Sequence, residues 1–344
     1  MAEIKLAGPG ARAAREMILN PAVRVLWRDG NVVQLELGSR AVVVDGLDTT
    51  AIRQLTGQSY EGDPIPASAV AALREERFVL DPRAQPAPGV PRLASELAAL
   101  QVRHGALAED ILTARRRSVV QVDGASRLAP SIAVLLAAAG VGQVAVSAQG
   151  DVRLAHTVPG GLAPADEGAR FTRASFDAIR RAAPDCDPGP LPPGAAPDLT
   201  ILTTPGPIDT DVRLGLHTRG GAHLVVQADG DRAVVGPLVV PGSTSCLHCA
   251  DLHRQDRDPA WPLLAAQLAT PLRSAAPSDA ILCCFAAALA AWQALAYLGG
   301  DCVDTVEGTV ELDLPGGRIR RRTLPAHPAC GCGAVDRVAD AASA

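Results

Sequence analysis

The first apolar runs of the chain, Val23 to Trp27, Val32 to Leu37 and Ala41 to Val44, predict three short strands, with Asp29-Gly30 punctuating the first pair as a hairpin turn. Asp48-Thr-Thr has the chemistry of a helix cap for a segment reaching Leu55, and Pro66-Ala-Ser starts a second helix running to Glu76. Strands followed by helices, without βαβ alternation, predict a small winged-helix-like α+β module over residues 15–82. The proline-rich stretch from Asp81 to Pro91 reads as a linker, placed at 83–92.

Leu93 to Ala114 predicts a helix, after which the pattern changes. Ser118 to Gly124 is a buried-type strand, Leu128 to Ala139 an apolar helix and Gly140 to Ser147 a second strand. This βαβ unit predicts an α/β domain with a Rossmann-like parallel sheet over residues 93–337. Asp198 to Thr203, His223 to Gln227, Thr305 to Leu312 and Arg318 to Thr323 predict further strands. Ile281 to Leu298 is nearly all apolar, with Gln293 the one clearly polar side chain. It falls short of the roughly 20 residues of a membrane span and lacks a basic flank, so a helix in a core or subunit interface is expected.

The 344 residues suffice for two cores, and a formal net charge of -5 argues against a general nucleic-acid binder. Aromatics are only 3%, so the core must be built from Ala, Val and Leu; Lys5 is the one lysine. No secretory signal pattern opens the sequence, and a soluble, cytoplasmic protein is expected.

Two tight cysteine pairs, Cys246-Leu-His-Cys249 and Cys330-Gly-Cys332, carry the most specific chemistry. Each can bring two thiolates to one soft ion, and a set of four cysteines is a common closed structural zinc site. Glycines around the second pair let the backbone curl round an ion. A redox CxxC wants a helix start in a thioredoxin-like unit and leaves the second pair unexplained; ordinary buried thiols are a further alternative. Cys186, Cys283, Cys284 and Cys302 look unpaired, which fits a reducing compartment. His248, His253 and His327 sit near the cysteines. Asp256 to Trp261 reads equally as an exposed contact segment or a capped turn.

A strand, a glycine turn and a helix form the usual site for a nucleotide's phosphates. Here the turn reads Val122-Asp-Gly124-Ala-Ser-Arg127-Leu, with one glycine of the dinucleotide fingerprint, and Asp151 lies near the place of the ribose-binding acid. Gly124, Arg127 and Asp151 are therefore candidates for a degenerate nucleotide site.

Gly140-Val-Gly142, the strand leading to Val152, Gly236-Pro-Leu-Val-Val-Pro-Gly242 and the two cysteine pairs resemble the ThiF family of ubiquitin-activating-enzyme-like adenylyltransferases. The stretch from Cys246 to Pro262, with His327-Pro-Ala-Cys-Gly-Cys332, is similar to the ThiF-like cyclodehydratase or leader-peptide-binding proteins of azole-forming bacteriocin biosynthesis. The resemblance covers roughly 115–335, and the N-terminal module is similar to the family's peptide recognition element. Ala148, Gly150, His156 and Pro159 stand where active members carry two aspartates, an Asn and an Arg, and the domain has no lysine.

The resemblance thus implies a zinc-bearing scaffold without ATP chemistry, which binds a precursor leader peptide, presents it to a YcaO-type enzyme and forms a homodimer. In that mode the peptide adds as a strand beside Ala41 to Val44, with Val42, Val43, Val44, Leu55 and Leu73 as contacts. These valines serve equally as the module's own core. An active adenylyltransferase with a site rebuilt from Arg127, Asp151 and Arg153 is the alternative, and a dimeric scaffold without a peptide client is a third.

Overall fold

Val33, Leu35 and Leu37 are fully buried and alternate with half-buried neighbours, so the strand Val32–Leu37 has one face in a core. The computed structural model describes residues 2–5, 18–20, 22–29, 32–45, 67–75, 78–80, 91–204, 206–269 and 278–334. The chain divides into two units, Met1–Thr113 and Ala114–Ala344.

In the first unit, β1 (Ala2–Lys5), β3 (Arg24–Asp29), β4 (Val32–Leu37) and β5 (Arg40–Asp45) form a four-stranded sheet in the order β1-β5-β4-β3, while β2 (Ile18–Leu19) pairs with β6 (Val79–Leu80). Its core joins Val33, Leu35, Leu37, Val42 and Val44 to Leu73 of helix α1 (Ala67–Glu75) and to Phe78. The three predicted strands are present. The expected free edge at Ala41 to Val44 is not: β1 pairs with β5 in parallel, Glu3 opposite Val43, and β4 covers the other side. An open strand edge leaves a row of unpaired N–H and C=O groups, and here the chain's own first strand takes that row. Val42, Val43, Val44 and Leu73 are buried, as core residues are. Leu55, the helix expected after Asp48, the Gly30 turn position and the proline-rich stretch 81–90 lie outside the described residues.

The helix predicted from Leu93 to Ala114 is two, α2 (Ala94–His104) and α3 (Ala108–Arg117), separated by a 3-10 turn beginning at Gly105. Arg40 donates from Nη2 to the Val102 carbonyl at 2.7 Å. This bond ties α2 to the first unit's sheet, and the division between the two units falls within α3, after Thr113, rather than at 83–92.

The second unit runs β7 (Val119–Asp123), α4 (Leu128–Ala138), β8 (Gln143–Ser147), α5 (Phe171–Ala182), β9 (Leu199–Leu202), α6 (Thr210–Thr218), β10 (His223–Asp229) and β11 (Arg232–Val239). It continues with α7 (Leu247–Arg257), α8 (Trp261–Leu268), α9 (Ala280–Leu298), β12 (Gly308–Asp313) and β13 (Arg318–Thr323). These strands build a seven-stranded sheet ordered β13-β12-β11-β10-β9-β7-β8. β8, β7, β9 and β10 are parallel, as expected, but β11, β12 and β13 are antiparallel. The switch follows from Gly230, whose φ of 58 lets a two-residue loop fold β11 straight back on β10.

α9 is long and apolar enough to cross a membrane by composition alone, but one face of it is core. Leu282, Ala286, Ala290 and Ala294 are fully buried in the cluster shared with α4 and the sheet. Gln293, also buried, accepts from the backbone and hydroxyl of Thr305 at 3.1 and 3.0 Å, which satisfies the helix's one polar side chain. Ile281 and Trp292, on the other face, are 71% and 50% exposed.

Candidate functional site

Cys246 is the N-cap of α7, and Cys249 lies in its first turn, where the helix dipole favours a thiolate. Cys330 and Cys332 come from the turn after β13, closed by a bond from the Cys330 amide to the His327 carbonyl at 2.9 Å. The four sulfurs lie within 4.8 Å of one another and are buried. Cys246 Sγ is 3.8 Å from Cys249 Sγ and 3.6 Å from Cys330 Sγ, and Cys249 Sγ is 3.6 Å from Cys332 Sγ. A tetrahedron with metal–sulfur bonds of about 2.3 Å has edges of about 3.8 Å, so this donor set fits one zinc-sized ion. The separations far exceed the roughly 2.05 Å of a disulfide. A helix start does carry Cys246, as a redox CxxC would want, but the second pair closes the group into four.

The proton balance of the group points the same way. The thiol of Cys246 donates to Cys249; with the His327 and Cys246 amides, this outweighs burial and pulls Cys249 down to about 4. The same bond, followed by burial, pushes Cys246 up, and burial pushes Cys330 up to about 11. Metal ligation would require these cysteines as thiolates.

Around it, His327 is the organising side chain. Its Nδ1 accepts from the Ala329 amide at 3.1 Å, which leaves Nε2 to donate to Asp256 Oδ2 at 2.9 Å. The ring meets His253 edge-on, centroids 4.7 Å apart, and His253 Nε2 donates to the Pro325 carbonyl at 3.0 Å. Both histidines thereby pin the Cys330–Cys332 turn to α7. His248, between two candidate ligands in sequence, is exposed instead. Asp256 to Trp261 is a capped turn: Asp258 accepts from the Ala260 amide, and Trp261 Nε1 reaches back to Asp251 at 3.1 Å.

The glycine turn after β7 is closed upon itself. Gly124 has φ +122, and a β-carbon there would stand 2.6 Å from Thr203 Oγ1. Ser126 donates to that hydroxyl at 2.9 Å and accepts from the Leu128 and Ala129 amides at 3.3 and 3.4 Å, so the first amides of α4 are satisfied internally. Arg127 spends Nε and Nη2 on the Thr157 carbonyl and Nη1 on the Ser278 carbonyl at 2.6 Å. Asp151 pairs on the surface with Arg170 at 3.2 Å. Gly124 and Arg127 thus share one turn, while Asp151 is engaged elsewhere. His156 is buried, accepting from the Arg153 amide at 3.1 Å and lying edge-on to Phe171. Sequence reasoning passed over Asp123, half-buried at the end of β7, whose carboxyl burial holds above the ordinary value. It also passed over Thr203, which only the pairing of β7 with β9 brings to the turn.

No family model and no curated protein matches the chain. Among solved structures it is similar to E. coli MccB bound to MccA-N7isoASN, with TM-score 0.69 and 16% identity, covering 92% of this chain and 99% of that one. E. coli MccB with ATP gives TM-score 0.68 and 17% identity over the same shares. PaaA gives TM-score 0.60 and 15% identity, covering 74% of this chain and 91% of that one. The ThiF-type fold implied by the sequence motifs is the fold of this chain.

Proposed function

From the fold it shares with a microcin C7 biosynthetic enzyme, we propose that this chain recognises a precursor peptide in bacteriocin-type biosynthesis. One observation carries the proposal: solved MccB structures holding MccA peptides match 92% of the chain, including its N-terminal unit. In this reading the chain is a leader-binding scaffold of the cytoplasm that hands the peptide to a YcaO-type partner. Cys246, Cys249, Cys330 and Cys332 hold a structural zinc ion, which stabilises the fold and takes no part in chemistry.

The peptide adds as a strand to the first unit's sheet. That β5 already accepts a four-residue strand supports this mode, with Val42 to Val44 in the acceptor strand, Leu73 in the core behind it and β1 as the segment a client displaces. The exposed face of α9, with Ile281 and Trp292, is the homodimer contact. Arg127 committed to two carbonyls, and Ser126 capping α4, support a scaffold without ATP turnover.

The competing reading, an active adenylyltransferase, rests on the likeness to MccB with ATP. Calorimetric titration with Mg-ATP, paired with pyrophosphate exchange, separates the two. The scaffold predicts no saturable heat up to millimolar ATP, and micromolar binding with exchange overturns it. Anisotropy titration with labelled peptides encoded beside the gene tests recognition itself; no peptide bound would remove the leader-binding proposal.

A further inference from the structure

The proposed function leaves unused a cavity of about 950 Å³ in the second unit, over the antiparallel half of the sheet. Gln227, Val234 and Glu311 are register partners across β10, β11 and β12, so they stand on one face and form its floor. α7 and α8 make the opposite wall. Five arginines line it, Arg232, Arg254, Arg257, Arg321 and Arg322, against three carboxylates, in a chain whose net charge is -5.

Two of the carboxylates, Glu311 and Asp251, are spent on holding arginines in place, while Asp258 accepts from the Ala260 amide. Glu311, whose side chain is 6% exposed, takes Arg232 Nη2 and Arg322 Nε on the same oxygen, each at 2.6 Å. Burial would raise its pKa, but the bonds from Arg322 and Arg232 outweigh that and keep it ionised. Asp251 is shared by Arg213 at 2.6 Å and Arg254 at 3.2 Å, and Arg254 lies over the Trp261 ring at 4.9 Å. Each guanidinium offers five donors in a planar fork. Arg322, Arg257 and Arg321 use only Nε, on Glu311, the His253 carbonyl and the Asp304 carbonyl, for their hydrogen bonds among the described residues. Their terminal nitrogens make no hydrogen bond among the described residues, and apolar Val225, Ile208 and Leu324 line the same cavity. β13, all six residues exposed and the last strand of its sheet, adds main-chain donors and acceptors.

Fixed guanidinium forks next to apolar wall and a strand edge suit an extended chain in which carboxylates alternate with apolar side chains. We infer that this cavity is a second peptide site of the chain, selective for an acidic, apolar segment. It rests on the peptide-recognition reading and specifies the chemistry of a part of the client that the first unit does not hold.

The test uses the full chain as purified and a fluorescein-labelled octapeptide alternating Glu and Leu, with its Lys–Leu counterpart as control. Anisotropy should rise saturably with the acidic probe alone and weaken with added salt. Arg257→Gln/Arg321→Gln, which leaves the Glu311 pairs intact, should weaken binding about tenfold, as expected for losing charge-assisted bonds. Arg322→Gln serves as a second variant, and metal content and thermal midpoint report folding for each. Equal binding of the Lys–Leu probe, or indifference to both variants, overturns the inference. So does displacement by tripolyphosphate at a comparable concentration, which would make this a polyphosphate site. Failure of gene-neighbour peptides to bind any form of the chain would sink the recognition reading instead, so the two failures are distinct.

Discussion

The hydroxyl of Thr203 lies 2.6 Å from the point that a β-carbon on Gly124 would occupy, so this turn packs tightly against the end of the neighbouring strand β9. Gly124→Ala should therefore destabilise the second unit by about 2–4 kcal/mol, combining overpacking with a backbone that L-residues rarely adopt. Urea unfolding measures this. Adding Thr203→Ala should recover only the steric share, because the φ of +122 remains.

The sulfur geometry predicts one zinc per chain in protein purified without chelators. Cys246→Ser should lose it and destabilise the second unit while amides of β3 to β5 keep their exchange protection, since the first unit has its own core. His327→Ala should leave the ligands in place but weaken zinc affinity about 10- to 100-fold, read by competition with a chromophoric chelator. Wild-type protein empty of metal would remove the zinc proposal.

Acidification should weaken the fold before carboxylates titrate. Burial holds the imidazoles of His156 and His223 below their ordinary value, with the charge of Arg153 adding to the effect at His156. In the unfolded chain both take up protons near pH 6.5, whereas the folded chain resists. Their contribution is complete above that pH and declines as pH falls toward the folded values. The urea midpoint should drop between about pH 7 and pH 5, and His156→Asn, which keeps an acceptor for the Arg153 amide, should flatten the slope.

Deleting residues 2–5 should raise affinity for the client peptide, because β1 occupies the acceptor side of β5. Anisotropy with the same labelled peptide on both forms decides this. Unchanged or lower affinity would move strand addition elsewhere, with β3 the remaining edge and its Trp27 57% exposed.

Trp292→Glu should convert a dimer to a monomer by light scattering at micromolar concentration, leaving the buried alanines of α9 untouched. A wild-type monomer would refute the proposed contact.

Much of this arrangement is local and therefore legible in the residues. The period-2 run to Leu37, the apolar segment before Ala139 and the strand at Ser147 each declare their element within a few residues. Spacing alone also sets Cys246 and Cys249 one helical turn apart, and marks Cys330-Gly-Cys332 as a turn.

What remained hidden depends on residues far apart in the chain. That Cys246 meets Cys330 and Cys249 meets Cys332 is decided by how α7 and the segment after β13 return to one end of the sheet. The valines of β5 carry the same pattern whether their edge is open or covered, and only the pairing of Ala2–Lys5 distinguishes the two. The run Arg318 to Arg322 reads as a solvated charged strand. Registering Arg322 opposite Thr309, within reach of Glu311, turns it into the wall of a cavity. Hydrogen bonding and burial within a segment are written in its own sequence, whereas an ion's ligands, a sheet's edge and a charge's partner are properties of neighbours that only the folded chain supplies.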